Sequence, residues 1–330
     1  MSVEDRAEIN KRLAIGNYFP PFFSALIAAL GRPDYELECV NNIIKNADMP
    51  VEIIVHDDGS DESKQRVQFD TLRDKVSTMI YNFGFNTGLA RSMNRCRAMA
   101  SSKYLIGFNS DVYVTSSFLK AMKEALDIPY VGLVNVSSGF GDGKGIHVTP
   151  RGHKVRLLNG TGNCHCFGIR KDVWDEVGGW DENVQTTASD VGFVGTLLGH
   201  GYFAVQVEGT ITNEMWPKSE DGRINTEGSN PDYVECGQFC RNDNNVPRIF
   251  NYSEKEHEHK SEKRREDIWH GVNDAQNADT LYPQWYNGKF QADQISKLFR
   301  NGNIDWEFAK TYGHDKWKDQ IIKDFNLEEK

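Results

Sequence analysis

The stretch Val51-Glu52-Ile53-Ile54-Val55-His56-Asp57-Asp58-Gly59-Ser60 decides the fold. Its first five residues are a β-branched run interrupted once by an acid, the pattern of a buried strand. Two carboxylates then stop the run, and Gly59-Ser60 turns the chain. Working outward, the same rhythm repeats on both sides. Phe22–Leu30 reads as a strand, broken at Gly31-Arg32-Pro33-Asp34, and Asp34 can cap a helix over Tyr35–Asn46. A helix over Glu62–Arg73 and a strand over Val76–Tyr81 follow. Asn86-Thr87-Gly88 opens a helix to Ala100, and Tyr104–Phe108 is a strand running into Asn109-Ser110-Asp111. Helix Ser117–Leu126 and strand Tyr130–Val136 complete the series. Alternation of this kind predicts a mostly parallel, doubly wound sheet. Such sheets bind ligands beyond the carboxyl ends of their strands, where both Asp clusters fall.

Beyond residue 136 the rhythm loosens. Residues 137–154 carry Gly139, Gly141, Gly143, Gly145 and Gly152. They read either as a mobile loop or, with Lys144, His147, Arg151, His153 and Lys154, as a lid over an anionic ligand. Leu157–Arg170 reads as extended, Asp172–Val177 and Ser189–Gly199 as helices, Gly178–Asp181 as a turn and Tyr202–Val207 as a strand. The division expected is a main domain over 1–212, whose first 20 residues are a polar leader, and a mainly helical extension over 213–330. The extension would serve acceptor or oligomer contacts, a homo-oligomer included.

Bulk properties narrow the classes of function. The chain has 330 residues and a net charge of −10. That balance repels nucleic-acid backbones and anionic membranes, so a nucleic-acid partner is not expected. No apolar run reaches the roughly 18 residues of a membrane span. The start of the chain lacks the basic-then-apolar order of a secretory signal. The six cysteines read as reduced thiols of a cytoplasmic protein. Cys164-His165-Cys166 with Cys236 and Cys240 could form a zinc site. On a strand, however, His165 would point away from its two neighbours.

The ordered series is more specific than any of its parts. It comprises Arg32-x-Asp34, the Asp57-Asp58-Gly59-Ser60 strand end and Asn82-x-Gly84. Gly88-Leu89-Ala90-Arg91, Asn109-Ser110-Asp111, Gly178-Gly179-Trp180-Asp181-Glu182 and Ser189-Asp190 complete it. This order, over about residues 22–208, resembles the inverting family 2 glycosyltransferases of GT-A fold, a Rossmann-like architecture for nucleotide-diphosphate sugars. The resemblance implies a donor site of Ala28, Leu30, Arg32, Asp57, Asp58, Gly88, Arg91, Asn109, Ser110 and Asp111. In that site Asp58 faces the base, Asp57 braces the turn and Arg91 lies near the phosphates. Simple helix capping by the Asp pair, and a surface ion pair for Arg91, are the plain alternatives.

It further implies Asp111 as ligand of a divalent cation, Mn²⁺ or Mg²⁺, held jointly with a UDP-, GDP- or dTDP-linked sugar. Asn109 and Ser110 depart from the family's two-carboxylate element. Asp190 stands where the family places its base, with Ser189 replacing the usual neighbouring Glu, and a helix N-cap is the structural alternative. Gly179, Trp180 and Asp181 would shape a pocket for a glycan or other hydroxyl acceptor, with Trp180 offering an aromatic face for stacking. The Gln-x-x-Arg-Trp element of processive members is missing, which favours transfer of single sugars in carbohydrate biosynthesis. Two other readings keep the fold: a sugar-phosphate nucleotidyltransferase, and a nucleotide-sugar-binding module without turnover.

Overall fold

The computed structural model describes residues 21–82, 87–114, 116–136, 144–159, 164–182, 189–208, 212–214, 239–241, 247–249, 297–300 and 303–327. Strands β1 (Phe23–Ala29), β2 (Val51–Asp58) and β3 (Thr78–Asn82) alternate with helices α1 (Pro33–Asn46), α2 (Glu62–Leu72) and α3 (Leu89–Met99). Next come β4 (Tyr104–Asn109), β5 (Val112–Val114), α4 (Leu119–Leu126) and β6 (Val131–Asn135). Strands β7 (Lys144–Val148), β8 (Lys154–Leu157) and β9 (Cys166–Arg170) precede helices α5 (Lys171–Val177) and α6 (Ser189–Gly199). Strands β10 (Phe203–Val207) and β11 (Thr212–Glu214) follow.

Nine strands form one sheet in the order β3-β2-β1-β4-β9-β6-β10-β8-β7. The parallel pairs β1/β2, β1/β4, β2/β3 and β6/β10, and the antiparallel pairs around β9 and β8, orient seven strands one way and only β9 and β8 the other. The chain reverses its direction of travel across the sheet between β1 and β4. That is the switch point at which open α/β sheets bind ligands. β1 and β4 are almost wholly buried, as a strand covered by helices on both faces must be. Gly107 in β4 has a packing reason: a Cβ there would lie 2.2 Å from the Phe167 ring.

Helix α1 begins two residues earlier than the sequence reading. Pro33 takes its first turn and Arg32 the N-cap position, so Asp34 lies inside the helix. A proline ring has its φ preset for a first turn and has no N–H to leave unpaired.

The Gly-rich segment also differs from expectation over its described part. Residues 144–157 are a β-hairpin on the far edge of the sheet, and its turn is tied to α4. Glu124 accepts hydrogen bonds from the Thr149 hydroxyl and the His153 ring and pairs with Arg151 at 3.1 Å. His147, Arg151 and His153 thus anchor an edge.

The C-terminal residues 303–327 return to that same edge. Helices α7 (Trp306–Lys310) and α8 (Lys318–Phe325) flank a short 3-10 turn, His314–Trp317. Leu298, Ala309, Ile321 and Phe325 are fully buried and continuous with the core of the sheet. Asp324 accepts a hydrogen bond from the Tyr130 hydroxyl at 2.7 Å. Buried His314 shares a hydrogen with the Leu198 carbonyl at 2.5 Å, near the end of α6, where that carbonyl also accepts the Gly201 N–H at 3.1 Å. This part of the extension is built into the core of the main domain.

Candidate active site

The register of the sheet aligns the carboxyl ends. Ala28 lies opposite His56 on one side and Asn109 on the other, and Ala29 lies opposite Asp57. Ala28, Leu30, Arg32, Asp57, Asp58, Asn109, Ser110 and Asp111 therefore share one edge. Arg32 stacks its guanidinium over Tyr35, 4.8 Å from the ring centre.

Asp57 organises the loops of that edge. Its carboxylate accepts the Gly59 and Ser60 N–H groups at 3.2 and 2.9 Å and the Gln65 amide at 2.8 Å. It also takes the Ser60 hydroxyl at 2.5 Å, and that hydroxyl in turn accepts the Gly31 N–H at 2.7 Å. One carboxylate thus joins the loop after β1 to the turn after β2. Gly59 adopts φ 99°, which a side chain would resist. Helix α2 is capped by Asp61, through the Lys64 N–H.

Asp58, expected to face the base, braces the start of α3. Its oxygens accept the Thr87 and Gly88 N–H groups, the Thr87 hydroxyl at 2.6 Å and the Asn82 amide at 3.2 Å. The carboxylate is spent on the N-terminus of α3, where a negative charge also meets the positive end of the helix dipole. Burial raises its pKa, and the bonds from Thr87, Asn82 and Gly88 work against that rise. Gly88, at φ 98°, lets the chain enter the helix this close to Asp58.

Asn109-Ser110-Asp111 form the turn between β4 and β5, all half-buried. His165 fixes this turn twice. Its carbonyl accepts the Asn109 N–H at 2.9 Å, and its ring meets the Asn109 amide at 2.9 Å. Asp111 lies near Cys39 of α1, whose thiol is pushed far up by burial and then by the Asp111 charge. β11 pairs antiparallel with β5 and sets Glu214 opposite Val112, the residue after Asp111. Among the described residues no group of three or more His, Cys, Asp or Glu side chains is arranged to hold a metal ion. A cation at Asp111 would take its remaining oxygens from a bound diphosphate, which suits one carboxylate beside neutral Asn109 and Ser110. Cys164 and Cys166 are buried, and Cys236 and Cys240 of the alternative zinc site lie in part outside the described residues.

Arg91 pairs with Glu182, Nε to Oε2 at 3.4 Å. Gly178 ends α5 in the left-handed conformation, and Gly179 continues it at φ 74°. A Cβ on Gly179 would sit 2.7 Å from Asn94 Oδ1 and from Trp174 Nε1. Trp180 is 2% exposed, its ring stacked on Phe193 at 5.2 Å and tilted against Phe167 at 5.9 Å. The stacking face expected of Trp180 is therefore occupied by the core, which corrects the sequence reading. Asp181 stays half-buried beside it.

Asp190 is the second residue of α6, and its side chain lies outside the described residues. The position of that turn follows from topology. A tight turn through Gly201 joins α6 to the start of β10, which runs parallel to β6. A helix packed back along these strands begins on their carboxyl side, the side of Asp111.

Residues 24–177, β1 to the end of α5, match the family model described as glycosyl transferase family 2. The fold is similar to that of GalNAc-T7, solved with UDP, GalNAc and Mn²⁺, at TM-score 0.51 and 12% identity, covering 95% of this chain and 60% of that one. This chain thus spans less than two thirds of the GalNAc-T7 chain. A mannosyltransferase from Pyrobaculum calidifontis, solved with GDP-Man and Mn²⁺, aligns at TM-score 0.48 and 15% identity over 71% of this chain and 68% of that one. TarS residues 1–349 from S. aureus align at TM-score 0.48 and 14% identity over 91% of each chain. No curated protein matches the sequence. Residues 24–177, just under half of the chain, thus match the glycosyl transferase family 2 model, on a mixed α/β fold of GT-A type.

Proposed function

We propose that the protein is an inverting glycosyltransferase that moves one sugar from a nucleotide-diphosphate donor to an acceptor hydroxyl. The observation that carries this reading is the sharing of one sheet edge by the Asn109–Asp111 turn and the first turn of α6. A donor lying across the ends of β1, β2 and β4 would meet Ala28, Leu30 and Arg32 on one side and Asn109–Asp111 on the other. Asp111 would hold a divalent cation together with the donor diphosphate, and when bound that cation would offset the negative charge growing on the leaving group. Asp190 would take the proton of the acceptor hydroxyl as its oxygen attacks the anomeric carbon from the face opposite the diphosphate. The carbon–diphosphate bond breaks as the new glycosidic bond forms, so the configuration inverts. UDP-, GDP- and dTDP-sugars are the candidate donors, a glycan the candidate acceptor, and Mn²⁺ or Mg²⁺ the cation.

Substituting Asp190→Asn tests the assignment. The variant is expected to bind nucleoside diphosphate as the wild type does and to lose turnover of the matching donor by about 100-fold or more, the range of a lost general base. Turnover at the wild-type rate would remove Asp190 from the mechanism. Nuclear magnetic resonance of the first product formed should show the inverted anomer.

A further inference from the structure

Helix α3 presents three residues at successive three-residue steps, Arg91, Asn94 and Arg97, to one stretch of chain. Positions so spaced share a helix face. Arg91 meets Glu182 and Arg97 meets Asp175, Nε to Oδ1 at 2.9 Å. Between them Asn94 does something more exacting. Its Oδ1 accepts the Trp180 N–H at 3.1 Å, and its Nδ2 donates to the Trp180 carbonyl at 2.9 Å and to Glu182 at 3.1 Å. One carboxamide thus closes on both polar backbone groups of a single residue, as a strand neighbour would. The contact is tight enough that Gly179 has no space for a Cβ. The other end of α3 is bound to Asp58 at the donor edge through Thr87 and Gly88.

We propose that Asn94 is a positioning residue for the transfer reaction, holding the Trp180–Glu182 turn in register with the donor edge through α3. In sequence, α6, with Asp190 as its second residue, begins seven residues after Glu182. With both groups of Trp180 fixed to α3, the Trp180–Glu182 turn cannot drift relative to the strand ends at which the donor would bind. Displacement of a reacting group by about 1 Å costs about 100-fold in rate. The contribution of Asn94 is therefore to turnover and not to nucleotide affinity. This inference rests on the transferase reading for its kinetic part only.

The experiment compares wild type with Asn94→Ala, Asn94→Asp and the double variant Asn94→Asp/Glu182→Gln. Amide hydrogen exchange is followed over residues 178–192. UDP and GDP affinities are measured by calorimetry, and turnover is measured with a panel of UDP-, GDP- and dTDP-linked hexoses. Asn94→Ala is expected to speed exchange in 178–192 while β1, β2 and β4 keep their protection. Its turnover should fall about 10- to 100-fold with nucleotide affinity unchanged. Asn94→Asp keeps the acceptor for the Trp180 N–H but turns an oxygen toward the Trp180 carbonyl and opposes Glu182, so Glu182→Gln should recover only the part of the loss due to Glu182. Unchanged exchange in Asn94→Ala overturns the proposal. So does an equal loss of affinity and turnover, or full recovery in the double variant, which has no donor for the Trp180 carbonyl. A wild-type protein that turns over none of the donors overturns the transferase reading instead, and the exchange comparison still decides whether Asn94 holds the turn.

Discussion

Asp58 and Gly88 are 30 residues apart in sequence, yet the Gly88 N–H donates to the Asp58 carboxylate at 2.7 Å. The link joins the end of β2 to the start of the helix that reaches across to Trp180. It makes Asp58 a brace for the architecture of the site, with four partner groups on one side chain.

Removing that brace should be costly. Asp58→Ala leaves the first N–H groups of α3 unpaired in a buried setting, so a loss of about 2–4 kcal/mol is expected from urea denaturation. Asp58→Asn keeps the shape but replaces one acceptor by a donor facing N–H groups, and should lie between Asp58→Ala and wild type. A loss below about 0.5 kcal/mol for Asp58→Ala, the level of an unremarkable surface change, would contradict the brace.

His56 gives the fold a pH dependence of known sign. Burial, and after it the Arg95 charge, lowers its pKa from 6.5 to about 4, against a smaller opposing effect of Asp57. Its Nε2 lies 3.3 Å from the Arg95 guanidinium. The folded state therefore keeps His56 neutral while the unfolded chain protonates below 6.5. The stability is present in full above pH 6.5 and is lost as pH falls from there toward 4, by about 3 kcal/mol in all. His56→Gln should be less stable at pH 7 but should lose less between pH 6.5 and 4.5 than wild type. Parallel pH profiles for the two proteins would contradict the assignment.

The strands and helices of the first 136 residues were legible because local signals agreed there. Val51–Val55 is β-branched, Gly59 and Gly88 sit where positive φ is needed, and the Asp clusters end strands. What escaped was set by packing over long separations. The partner of Asp58 is chosen by where α3 docks. An exposed stacking Trp and a buried one look alike in a Gly-Gly-Trp-Asp turn, so the burial of Trp180 could not be read. Gly145 suggested mobility, but it is glycine because Phe325, 180 residues later, packs on it: a Cβ there would lie 2.2 Å from the Phe325 carbonyl oxygen. Asn94 carried no signal of its own, except that its three-residue spacing from Arg91 and Arg97 marks one helix face.

The return of the C-terminal residues to the sheet carries its own expectation. Phe325 is fully buried against Tyr130 and His147. Phe325→Ala should cost about 3–5 kcal/mol, as large aromatic truncations in a core do. Because its contacts belong to the core of the sheet, one cooperative transition should shift as a whole. A separate early transition, with the main one unmoved, would show that residues 303–327 fold as an independent unit.

The central claim is that a nucleotide sugar binds across the carboxyl ends of β1, β2 and β4. Hydrogen exchange with and without UDP or GDP, in the presence of Mn²⁺, measures this most directly. Protection is expected in the segments 28–32, 57–60 and 109–112, and it should weaken in Asp111→Asn. Protection confined to other segments, or none with either nucleotide, would contradict the account.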